Sequence, residues 1–175
     1  MKLFSQGHAV ASFKALREYQ CLGVLFSGYE RLSIPMEQYD TFLNTAFKYI
    51  DQRYRENKRL SSSFLFAVLL WPILEVHKKK LKKVTIYHYK KCIYRVLKFE
   101  SRYIAIPKKL QDAIKDLWIL QHLFESKNTP FSEDKEKQTR FQHGYKLFML
   151  RAKSDETLTE KAIMWQSMIE KINNN

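Results

Sequence analysis

Apolar positions recur at the helical period along almost the whole chain. Val10, Phe13, Leu16 and Tyr19 fall three residues apart, and Gly23 is placed to cap the short helix they define. After a turn containing Gly28 and Pro35, the residues Tyr39, Phe42, Leu43, Ala46, Phe47, Ile50 and Tyr54 make the most regular amphipathic stripe, with Asp40, Lys48, Asp51 and Arg55 on the polar side. Ser61, Ser62 and Ser63 then offer N-cap oxygens to residues 64–74, eleven positions with no polar member. An element apolar on every side predicts a buried central helix, which Pro72 kinks or ends.

From Ile86 a further helix carries Tyr89, Ile93, Val96 and Leu97 on one side and ends near Ser101. Pro107 suits the first turn of the next, whose stripe is Leu110, Ala113, Ile114, Leu117, Leu120, Gln121 and Phe124, with Gln121 the polar anomaly. Ser126 to Lys137 reads as a polar loop around Pro130. Phe141, Tyr145, Phe148 and Met149 resume the helical period, and Thr157 with Glu160 forms a capping-box pair ahead of Leu158, Ala162, Trp165, Met168, Ile169 and Ile172. With only four glycines and four prolines, turn-rich sheets are disfavoured. The expected fold is all-α: a compact multi-helix body around one central all-apolar helix, with no sheet.

Charge changes the picture. The chain has 175 residues, 31 Lys plus Arg against 18 Asp plus Glu, and a net charge of +13. Twelve cations and one acid, Glu100, lie between Lys78 and Lys109, so these residues hold +11 and the remainder only +2. On a helical wheel Lys91, Arg95, Lys98 and Arg102 share one narrow sector, with Tyr87 and Tyr94 beside them and Ile86, Ile93 and Leu97 opposite. Cations along a phosphate backbone and rings for unpaired bases are what single-stranded nucleic acid requires. A solvated lysine-rich helix whose tyrosines cover the edge of the core would look the same.

Autonomous chemistry has no visible home. There is no Gly-rich phosphate loop, nucleophile elbow or Asp-x-Asp pair. Asp112 and Asp116 are interleaved with Lys108 and Lys115 as surface salt bridges, and His88 with Cys92 lacks a third metal ligand. Cys21 and Cys92 are too few for a disulfide framework, and no window approaches the roughly 20 apolar residues of a membrane span, so a cytoplasmic protein is expected.

Several stretches, in order, resemble the C-terminal half of bacterial poly(A) polymerases, which belong to the class II nucleotidyltransferases with the CCA-adding enzymes. They are Lys2-Leu3-Phe4 with Gly7-His8, Leu16-Arg17-Glu18-Tyr19, Leu25-Phe26, Ser63-Phe64-Leu65-Phe66-Ala67 with Trp71-Pro72, Ile106-Pro107-Lys108-Lys109, Asp116-Leu117-Trp118-Ile119-Leu120-Gln121, and Phe141 with Tyr145 and Leu150-Arg151-Ala152. The resemblance implies a helical body segment over 1–60 that follows an absent neck, and a helical RNA-binding region over 61–175. It implies an RNA partner, no catalytic residue, metal site or cofactor in this chain, and ATP and magnesium in the complete enzyme, whose nucleotidyltransferase head adds AMP to the RNA 3′ end. Met1 would then stand at an internal junction. The extended arginine-rich tail of the family is not seen before Asn175, which leaves residues 78–109 as the main basic surface. The RNA-facing side is expected to comprise Tyr87, Lys91, Tyr94, Arg95, Lys98 and Arg102, with Lys108 and Lys109 at a helix start. The alternatives are a module that docks a separately encoded head, and a non-functional remnant of a split gene.

Overall fold

The eleven-residue apolar run lies at the centre of the molecule, and every residue from Phe64 to Leu74 is buried. The computed structural model describes residues 2–58, 60–126 and 135–173, without the side chains of 135–138, 172 and 173. The run is divided between two helices, α5 (Ser62–Leu69) and α6 (Trp71–Lys79), which meet at Leu70. Pro72 has no N–H with which to continue α5 but suits the first turn of α6. Ser61 caps α5, its side chain accepting from the Phe64 N–H at 3.3 Å.

Before this pair the chain forms α1 (Ala9–Glu18), α2 (Leu22–Leu25), α3 (Ser27–Arg31) and α4 (Asp40–Arg55). After it come α7 (Ile86–Glu100), α8 (Lys108–Glu125), α9 (Lys135–Ala152) and α10 (Thr159–Asn173), with 3-10 turns at Lys2–Phe4, Met36–Gln38 and Glu156–Leu158. The fold is all-α, with no strand among the described residues. One core runs from Phe4 to Leu150 and so draws on both sides of residue 60; a smaller aromatic cluster of Phe124, Phe141, Phe148 and Trp165 closes the end formed by α8, α9 and α10.

Helix ends depart from the sequence expectation in four places. α1 stops at Glu18 and not near Gly23, because Gln20 takes the left-handed conformation at φ +56° while its N–H reaches the Arg17 carbonyl and that of Cys21 the Leu16 carbonyl. Tyr19 consequently leaves the apolar stripe and is 74% exposed. Asp51, placed on the polar side of α4, is buried: its two oxygens accept from the Ala9 and Val10 N–H groups at 2.6 and 3.1 Å and cap α1 from another helix. Near the C-terminus Asp155 accepts from the Thr157 N–H at 3.0 Å, so Thr157 lies in a 3-10 turn and the expected capping box with Glu160 does not form. α9 already begins at Lys135; residues 127–134 of the expected loop, Pro130 among them, lie outside the described residues.

The polar anomaly of α8 is the hub of the packing. Gln121, fully buried, donates to the carbonyls of Leu117 and Gly144 at 3.1 and 2.9 Å and accepts from Arg151 at 3.2 Å. A Cβ at Gly144 would stand 2.5 Å from the Leu120 side chain, so glycine lets α9 approach α8 closely enough for this bond. The Arg151 guanidinium lies 4.0 Å from the centre of the Trp71 ring and pairs with Glu125, which also receives Lys78 at 3.0 Å. Lys78 pairs in turn with Glu75 at 3.2 Å. Burial pushes the Glu125 carboxyl up, but Arg151 and Lys78 outweigh it and hold the group below its ordinary value.

Candidate nucleic-acid interface

The local sequence of α7 dictates two unlike sides. Thr85 caps the helix by accepting from the His88 N–H, and Tyr89, Cys92, Ile93, Val96 and Leu97 enter the core at helical spacing. Ile86, expected in that stripe, is partly exposed in the first turn. On the outer side Tyr87, Lys91, Tyr94, Arg95 and Lys98 are exposed, the two tyrosines by 60% and 62%. Arg102 is exposed in the turn after α7, and Lys108 and Lys109 at the start of α8. Lys91 lies 4.5 Å from the centre of the Tyr87 ring and Lys98 5.5 Å from that of Tyr94, so cation and ring alternate along the surface.

Of the twelve cations between Lys78 and Lys109, two have a carboxylate partner among the described residues. Lys78 belongs to the part-buried side of the hub, and Lys108 pairs with Asp112 at 3.0 Å. Lys91, Arg95, Lys98, Arg102 and Lys109 have no carboxylate partner among the described residues. Asp112 and Asp116 are both engaged, by Lys108 and Lys115 and by Arg140.

Four of the eight expected residues, Tyr94, Arg95, Lys98 and Arg102, line a cleft of about 470 Å³ between α3, α6 and α7. Its floor is apolar, formed by Ile73, Val96 and Phe99. Arg31 of α3 and His77 of α6 complete the wall, with the Arg31 guanidinium 4.7 Å from the centre of the Phe99 ring. Gly28 makes the cleft possible, because a Cβ there would stand 2.5 Å from Glu100 Oε1 and 2.7 Å from Ile73 Cδ1. Glu100, wholly buried, accepts from the Gly28 N–H at 2.9 Å while its Oε2 has no partner; burial drives its pKa up to about 7 against the opposing pull of that N–H. Burial lowers the His77 pKa, and the charges of Lys80 and Arg95 lower it further.

Tyr87 and Lys91 lie nearer the start of α7 and do not line the cleft, nor do Lys108 and Lys109. Arg31 and His77 escaped the sequence reading because nothing periodic connects α3 and α6 with α7; only the tertiary fold does. Among the described residues no three His, Cys, Asp or Glu side chains could hold a metal, and no helix is long and apolar enough to cross a membrane. His88 is engaged with the Thr85 hydroxyl at 2.9 Å, whereas Cys92 is buried.

Fold and surface together define an all-α protein with one outward-facing cationic and aromatic helix. Residues 84–175, which begin just before α7, match the family described as polymerase A arginine-rich C-terminus, and the chain belongs to that family. It is 27% identical over 175 aligned positions to poly(A) polymerase I of Escherichia coli O157:H7, 26% over 172 to that of Salmonella typhi and 25% over 173 to that of Haemophilus influenzae. Each alignment covers 94% of this chain and 37% or 38% of the relative, so the chain spans little more than a third of the length of these relatives.

Proposed function

We propose that this chain is the RNA-holding part of a polynucleotide adenylyltransferase, gripping the 3′ region of a single strand while a nucleotidyltransferase head extends it with AMP. The observation that carries the reading is the row of cations on α7 that no carboxylate among the described residues answers, interleaved with exposed tyrosines, inside the portion that matches the family. Unanswered surface cations supply the electrostatic affinity for a phosphate backbone, and the rings offer stacking surfaces. ATP and magnesium are used by the head and not by residues of this chain. The cytoplasm suits both free thiols, Cys21 and Cys92.

The test is binding of the chain to oligo(A) and to mixed-sequence RNA across a salt series. Salt-dependent binding to both is expected, with no incorporation of ATP at the RNA 3′ end by this chain alone. Absence of binding at low salt, or affinity indifferent to salt, would overturn the reading. A second reading, docking of a separately encoded head, is favoured by Leu3, Tyr19 and Val24, which are large apolar or aromatic side chains left 55%, 74% and 75% exposed in the N-terminal portion. Capture of a head fragment in the absence of RNA, lost on Tyr19→Ser with Val24→Ser, is the result expected from it.

A further inference from the structure

We infer that the cleft between α3, α6 and α7 receives one unpaired base of the bound strand, with the neighbouring phosphates on its cationic rim. This rests on the RNA-holding role and adds to it a place where a base, and not only the backbone, is held. The rim presents Arg31, Arg95, Lys98 and Arg102, and no acidic residue among the described ones lines the cleft, so its charge calls for an anion. The floor calls for something else: Ile73, Val96 and Phe99 would leave apolar surface in water beneath a bare phosphate. A nucleotide carries both parts, a flat ring with little need of hydrogen bonds on its faces and a negative group beside it.

Size and chemistry narrow the occupant. About 470 Å³ lies at the lower end of the roughly 300–1,000 Å³ of small-ligand pockets, which suits one nucleotide and not a duplex. Single-stranded RNA is recognised through bases splayed onto aromatic rings and guanidinium planes. Phe99 with Arg31 on one wall and Tyr94 at the mouth provide such surfaces. The His77 imidazole and the Tyr94 hydroxyl are available to a base edge, so the cleft detects the presence of a base more than its identity.

The experiment compares the affinity of the whole chain for oligo(A) and for an abasic ribose-phosphate strand of the same length, over a salt series. The wild type is expected to prefer oligo(A) by about tenfold, the effect of one stacked base. Leu32→Trp fills the cleft from the α3 side without removing a charge; it should lower the preference to what the rings outside the cleft supply and leave the salt slope unchanged. Arg31→Gln, at an exposed position, should lower the log-log salt slope by about 0.7 with an unchanged circular dichroism spectrum, although it lies far from α7 in sequence. Equal binding of both strands by the wild type with a steep salt slope overturns the cleft assignment and leaves the RNA-holding role intact, whereas salt-dependent binding of neither strand overturns that role itself. A folded Leu32→Trp variant that keeps the full preference, an unchanged slope for Arg31→Gln, or free AMP competing as well as oligo(A) would each overturn the assignment to a strand nucleotide.

Discussion

Two groups of cations in this molecule differ in whether a carboxylate answers them. Around Gln121 the charges are answered: Arg151 has Glu125 and the Trp71 ring, and Lys78 has Glu75 and Glu125. On the outer side of α7 they are not, and Lys91, Arg95, Lys98 and Arg102 face solvent without a carboxylate partner among the described residues. An arginine buried with its countercharge stabilises the fold only as part of a complete network, since removal of one member strands the other. A row of exposed cations contributes little to folding and leaves its full attraction for an outside polyanion. The two carboxylates make the same point: Glu125, answered by two cations, is held low, and Glu100, buried with one free oxygen and no cation partner, is pushed up to about 7.

This contrast can be broken most forcefully at the hub. Arg151→Met leaves the part-buried Glu125 with Lys78 as its sole cation and should lower the unfolding free energy by about 3–5 kcal/mol in urea titrations, with the RNA affinity of the folded protein unchanged. A loss below about 1 kcal/mol would reduce the network to an ordinary surface pair.

Glu100 comes next. Its folded pKa of about 7 exceeds the ordinary 4.5, so its contribution to stability is fully present below pH 4.5 and is lost as pH rises through 7. The difference amounts to about 3 kcal/mol. Unfolding free energy should fall between about pH 5 and 8 in the wild type, and Glu100→Gln, which can still accept from the Gly28 N–H, should flatten that fall. An identical pH profile in the two proteins would show that the carboxyl is already ionised. A smaller effect belongs to the binding surface: Tyr94→Ala should weaken oligo(A) binding by about 1 kcal/mol if a base stacks on it, with the melting temperature unchanged. Unchanged affinity would make Tyr94 an ornament of the helix surface.

Much of this was legible in the chain. The stripe of α4, the apolar run at 64–74 and the amphipathic division of α7 follow from periodicity, because each helix buries one face locally. What periodicity could not show is where a polar residue finds its partner. Asp51 looked like a solvated residue and caps α1 from 41 or more positions away; Gln121 looked like a blemish and joins α8 to α9. The stretches around Trp71, Gln121 and Arg151, which carry part of the resemblance, form the hub of the core and not the outward surface. The cleft was half legible: one helix supplies Tyr94, Arg95, Lys98 and Arg102, while Arg31 and His77 arrive only through the packing of α3 and α6, which the glycine at position 28 permits.

The claim that the α7 cations serve a strand and not the fold is tested most directly by measuring RNA affinity and unfolding free energy on one protein, the Lys91→Ala, Arg95→Ala double variant. The account predicts a log-log salt slope flattened by about 1.4, two charges at about 0.7 each, together with wild-type stability. A slope equal to that of the wild type, or a variant that binds normally and unfolds more easily, would contradict it.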